Sequence, residues 1–169
     1  MKRLMLLTLS AAAVLVASPG IAKRHHKAAA KPAAAAAAVR AELKWGPAPP
    51  ALPGGAQLAV VKGDPMKKGP FTIHLKMPAS YAVPPHWHPT DEKVTLVSGK
   101  LVYGMSDQLN RMTGTPLAEG ASVTMKAKEH HWVMTADGAE VEVSAMGPFM
   151  ITYVNPKDDP RPKEAPAAK

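Results

Sequence analysis

The stretch His86-Trp87-His88-Pro89-Thr90-Asp91-Glu92-Lys93-Val94-Thr95-Leu96-Val97-Ser98-Gly99, entered through Pro84-Pro85, places two histidines two residues apart and a glutamate four further on. On an extended backbone successive side chains alternate between faces, so His86 and His88 point the same way and Glu92 shares their parity. Two neutral imidazoles and a carboxylate converging from one strand and its turn are ligand types that Fe, Mn, Ni and Zn accept. A His-x-His pair alone says little. The longer constraint, running through Glu92 to Gly99, is what gives the stretch its weight.

Outward from it, short runs rich in Val, Ile, Leu, Thr and aromatic residues recur between Gly, Pro, Asp and Asn, over 56–62, 71–77, 93–98, 101–105, 121–126, 131–136, 139–145 and 149–154. Eight such runs in about 100 residues, with no amphipathic helix among them, predict an all-β barrel or sandwich of one domain. Alternation gives the faces. Phe71, Ile73, Leu75 and Met77 face inward and Thr72, His74 and Lys76 outward, which makes His74 a surface histidine; Val141 and Val143 likewise alternate with Glu140 and Glu142.

The pattern His86, His88, Glu92, Gly99 resembles the first motif of the cupin superfamily. The resemblance implies a small antiparallel β-barrel, the double-stranded β-helix or jelly roll, holding one divalent metal. It also implies a second motif that supplies a fourth ligand. Gly120 is followed in register by Lys126 and Lys128, where the family has Pro and Gly, then by His131, and by Thr135 where the family has Asn. The implied ligand set is therefore His86, His88, Glu92 and His131. His130 lies one residue off register and should face away. The alternative for His131 is an aromatic core residue beside Trp132. A lysine where the turn wants a glycine costs on the order of 1 kcal/mol if the backbone keeps a positive φ.

The ends of the chain read differently. Residues 1–22, with Lys2-Arg3, an apolar run and Gly20-Ile21-Ala22, have the form of a secretory signal peptide, cleaved after Ala22, or of a short uncleaved anchor. The run is short for a permanent span, so no stable membrane insertion is expected after cleavage, and the product is periplasmic or secreted. Residues 23–55 form an Ala/Lys/Pro-rich tether and extended lead-in, with Trp45 as the residue expected to dock, and His25-His26 read as a solvated tail or a metal-handling tract. The barrel domain is placed at 56–155 and a Pro-rich charged tail at 156–169. Cysteine is absent, so no disulfide contributes.

The formal charge of +8 belongs mostly to the leader and the tether. From residue 41 onward 14 Lys plus Arg face 13 Asp plus Glu, a balance that gives no basic face for nucleic acid. The basic tail could instead hold the protein near an anionic cell envelope.

Three imidazoles and one carboxylate leave coordination positions open for Lewis-acid or dioxygen chemistry. No Ser/His/Asp arrangement, second carboxylate pair or phosphate loop offers another source. The walls of the chamber are expected from Phe71, Ile73, Leu75, Met77, Met105, Val133 and Phe149. Lys126 and Lys128 near the mouth would favour an anionic small molecule, or are simply solvated. Ten methionines fill core gaps or, alternatively, bind copper. The metal could be Fe, Mn, Zn, Ni or Cu; loading outside the cytoplasm favours Zn or Cu. Dioxygenase or isomerase chemistry is what the resemblance implies. A non-catalytic metal- or ligand-binding envelope module, or a barrel with a vestigial site, is the alternative. An edge strand offers a route to a homodimer.

Overall fold

The computed structural model describes residues 42–162; the expected signal segment, the basic tether with His25-His26 and the end of the tail lie outside them. Eleven strands follow in order: β1 (Gly46–Pro47), β2 (Gln57–Lys62), β3 (Gly69–Met77), β4 (Tyr81–Trp87), β5 (Glu92–Gly99), β6 (Leu101–Gly104), β7 (Thr115–Leu117), β8 (Ser122–Met125), β9 (His131–Thr135), β10 (Ala139–Gly147) and β11 (Thr152–Tyr153). They make two sheets, β1-β2-β3-β10-β5-β8 and β11-β4-β9-β6-β7, with the pairs antiparallel. The all-β architecture expected from the strand runs, in the two-sheeted jelly-roll form that the resemblance implies, is thus the architecture of the domain. Among the described residues no helix is long and apolar enough to cross a membrane.

Alternation along the strands stacks the interior in layers. In the first sheet Glu92, Ala145 and Phe71 are cross-strand partners, then Val94, Val143 and Ile73, then Leu96, Val141 and Leu75. In the second sheet His86 stands opposite His131, and Val83 opposite Val133. One end of the barrel is therefore polar and the layers behind it aliphatic. Leu96 and Trp132 have no exposed surface. The sharp β5–β6 connection needs Gly99, which has φ +89° and packs so closely on the backbone of Gly138 and Ala139 that a Cβ would collide there.

The expected runs leave out β4, of which only the His86 end reads as extended backbone. Proline has no N–H to give a ladder and is found at edges and bulges. Here the β4–β9 register shifts between Val83 and His86, and the prolines occupy that irregularity. The extra residue moves the inward parity from Tyr81 and Val83 to His86 and His88, all four of which are buried.

His74 corrects a second expectation. It does lie on the outward parity of β3, yet only 6% of it is exposed. Trp45 covers it edge-on at 6.3 Å between ring centroids. Beneath this cover its Nδ1 is 2.8 Å from Glu140 Oε1 and its Nε2 3.5 Å from Glu142 Oε2, while Lys76 Nζ sits 3.8 Å over the Trp45 ring.

The described part of the lead-in packs on the barrel. After Trp45 docks, the chain crosses the seam between the sheets as a strap. The Tyr81 hydroxyl donates to the Pro53 carbonyl and the Tyr153 hydroxyl to the Ala51 carbonyl, at 2.7 and 2.9 Å.

Candidate metal centre

His86 comes from the far side of the β4 bulge, His88 from the turn after it, Glu92 from the first residue of β5, and His131 from the first residue of β9. All four are buried. The ring nitrogens of His86, His88 and His131 lie within 4.8 Å of one another. Glu92 Oε2 is 3.3 Å from His131 Nε2 and 3.7 Å from His88 Nε2. The three histidines are thus brought to one point, with the Glu92 carboxylate beside His131 and His88.

Backbone carbonyls fix the tautomers. A carbonyl can only accept, so the ring nitrogen facing it carries the proton. His86 Nδ1 donates to the Pro84 carbonyl, His88 Nδ1 to that of Met150 and His131 Nδ1 to that of Glu129, at 2.7, 2.7 and 2.9 Å. Each Nε2 is then a bare lone pair. His131 Nε2 is fully buried with no hydrogen-bond partner. It faces a carboxylate oxygen at 3.3 Å without the geometry of a hydrogen bond. Two Lewis bases held face to face in the interior are costly alone, and a cation between them removes the cost. The donor set therefore fits a divalent transition metal, with the outer hydrogen bonds that orient ligating histidines already in place.

Electrostatics agree. Burial, and then the neighbouring His131 and His88 rings, push the His86 pKa from 6.5 down to about 3. Burial lowers His88 in the same direction. Burial pushes Glu92 up, but the surrounding imidazoles outweigh it and hold the carboxyl down to about 2. A neutral His86 and His88 beside an ionised carboxylate are the protonation states that a metal requires.

His130 faces away, 2.6 Å from Asp107 Oδ1. The two halves of the site are clipped together by contacts that the sequence did not reveal. Asp91 Oδ1 accepts the Ala127 N–H, Asp91 Oδ2 pairs with Lys126 Nζ at 2.9 Å, and the Lys128 N–H donates to the His88 carbonyl at 2.8 Å. The lysine in the family's proline position is thus engaged with the first motif. Lys128 sits at φ +64°, so the backbone has kept the left-handed turn that glycine would favour.

Below the four residues lies a chamber of about 470 Å³. Ile73, Leu75, Met77, Val133 and Phe149 line it as expected; Phe71 is buried behind Phe149, and Met105 is 40% exposed and outside the lining. Phe149 stacks on His88 at 4.1 Å between centroids. Pro49 to Leu52 of the strap close one side. Lys126 and Lys128 do not line the chamber, and Met146 and Met150 are exposed rather than filling the core. Apart from the four site residues, the one charged side chain among the described lining residues is Arg161, whose Nε donates to Asp159 at 2.8 Å.

The sequence matches no protein-family model and no curated protein. Solved structures do resemble the fold. A candidate acetylacetone dioxygenase from Methylibium petroleiphilum superposes with a TM-score of 0.56 at 22% identity, over 73% of this chain and 83% of that one. The DMSP lyase DddQ of Ruegeria pomeroyi gives 0.57 at 18%, over 73% and 67%. The polyketide cyclase RemF of Streptomyces resistomycificus gives 0.56 at 14%, over 72% and 86%. At such identities the likeness is one of architecture, and with the two antiparallel sheets it shows that this chain has the double-stranded β-helix fold.

Proposed function

We propose that the chain binds one divalent metal through His86, His88, Glu92 and His131 and uses it to convert a small molecule held in the chamber beneath. The observation that carries this reading is the orphaned, fully buried Nε2 of His131 facing the Glu92 carboxylate. A bound metal would supply Lewis-acid activation, or dioxygen chemistry if it is Fe(II). The protein's own residues orient the ligands through backbone carbonyls, keep the imidazoles neutral and exclude water with an apolar wall. The dioxygenase, lyase and cyclase named among the solved relatives show how broad the chemistry on this fold is, and they favour a small-molecule substrate. Elemental analysis of protein from its native compartment tests the centre. One equivalent of Fe, Mn, Zn, Ni or Cu is expected, and a metal content at background level would remove it.

A second reading is a metal-dependent binding module without turnover. It is favoured by the scarcity of acid–base groups, since apart from the four site residues Arg161 is the one charged side chain among the described lining residues. Glu92→Gln separates the two. An enzyme keeps its fold and loses turnover, whereas a binding module changes only in metal or ligand affinity.

Export is a proposal of the same kind. Mature protein beginning at Lys23 in the periplasm or medium would support it, and intact Met1 in the cytoplasm would not. Association through an outer strand into a dimer is tested by sedimentation, where a monomer mass ends the idea.

A further inference from the structure

We infer that the ligand of the chamber is an amphiphile with one monoanionic oxygen head and an apolar alkyl or aryl body, the head on the metal and the body along the barrel axis. This rests on the metal-site reading above. The body follows from the lining. Behind Glu92 and the histidines come Val94, Val143 and Ile73 in one sheet and Val83 opposite Val133 in the other, then Leu75 and Val141, and all of these line the cavity. No Ser, Thr, Asn, Gln, Tyr or Asp side chain is among the described lining residues.

Most of the remaining polar groups are already engaged, the exception being Arg161 Nη1. All three imidazole Nδ1 atoms are committed to backbone carbonyls. Arg161 donates from Nε and Nη2 to Asp159, and Nη2 also reaches the Ile151 carbonyl. A second polar group placed along the aliphatic layers would be stripped of water with no side chain there to receive it, Arg161 Nη1 being the one open side-chain donor of the lining. Polyols, sugars and zwitterionic amino acids are therefore disfavoured.

The head follows from charge. Three neutral imidazoles, one carboxylate and a divalent ion leave a single positive charge at the end of an apolar chamber. A monoanionic oxygen donor such as a carboxylate or an enolate neutralises it, whereas a dianion or a cation does not. Anion preference thus comes from the metal centre rather than from Lys126 and Lys128, which lie outside the lining.

The test uses the full chain loaded with Co(II) and a series of straight-chain monocarboxylates from acetate to decanoate. Kd is read by calorimetry and head-group ligation by the Co(II) absorption spectrum. Affinity is expected to rise about fourfold per methylene until the chamber is full, with the same spectral change throughout. Each ω-hydroxy counterpart is expected to bind at least tenfold more weakly than its parent. A flat series, or equal binding of the ω-hydroxy acids, overturns the inference while stoichiometric Co(II) leaves the metal centre intact. Failure to take up Co(II) brings down both, and that outcome is visible in the loading step itself. Val141→Phe, which fills part of the chamber two layers from the ligands, is expected to end the rise at a shorter chain with Co(II) affinity unchanged. The wild-type series decides the matter if that variant does not fold.

Discussion

His131 and His130 are adjacent histidines with opposite fates, because a strand turns neighbours to opposite faces. His131 lies under the barrel end and His130 meets Asp107 at the surface. His131→Ala is expected to weaken metal binding by more than about a hundredfold, since it removes a ligand where outer contacts alone are worth about 10–100-fold. His130→Ala is expected to leave it unchanged. Metal titration against a chromophoric chelator reads both, and equal losses would refute the assignment. Lys128 offers a stability test nearby. At φ +64° a side chain is strained and a glycine is not, so Lys128→Gly is expected to raise the unfolding free energy by up to about 1 kcal/mol. The gain is partly offset by the freer unfolded chain. A denaturant midpoint that falls instead would show that the lysine side chain contributes more than its backbone costs.

At the scale of elements, the strap is the part whose role depends on contacts rather than on pattern. Trp45 joins it to the outer face of β3 through His74 and Lys76, and Tyr81 and Tyr153 hold its far end. Trp45→Ala is expected to cost about 1–2 kcal/mol and to make 45–55 sensitive to protease while the strands of the barrel stay protected. Uniform protection along the chain would contradict the strap's role. The same contacts explain where the sequence was legible and where it was not. Period-2 alternation placed Ile73, Leu75 and Val133 correctly because each strand is half buried against one core. His74 escaped the pattern because its cover comes from a segment remote in sequence with no periodicity of its own. Strand β4 escaped it because Pro84-Pro85 is a break to any local rule and becomes a bulge only when β9 lies alongside. The residues of the candidate site were readable from the His86–Gly99 spacing and the cupin resemblance, but the clip between Asp91 and 126–127 was not, since it joins two loops that only the closed barrel brings together.

For the whole molecule, burying the centre ties folding to protons and to metal. The folded-state pKa of His86 is depressed from 6.5 to about 3, so between those values the unfolded chain binds more protons than the folded one. Stability then rises with pH across that window and is lost as pH falls through it, by up to about 1.4 kcal/mol per pH unit for one such group. His88 is lowered in the same direction, and Glu92, lowered from 4.5 to about 2, adds stability present above 4.5 that is lost as pH falls toward 2. Metal-free protein is therefore expected to lose stability steadily from about pH 6.5 downward. His86→Asn is expected to reduce the slope, because one of the depressed groups is gone. Metal works against the protons: at a hundredfold excess over its Kd it adds about 2.7 kcal/mol near neutrality. That gain shrinks on acidification because the ligands must be deprotonated to bind. Denaturant midpoints measured from pH 7.5 to 4.5, with chelator and with saturating metal, should give two curves that separate at neutral pH and converge in acid. Curves that stay parallel would mean that the ion binds elsewhere than at these four residues.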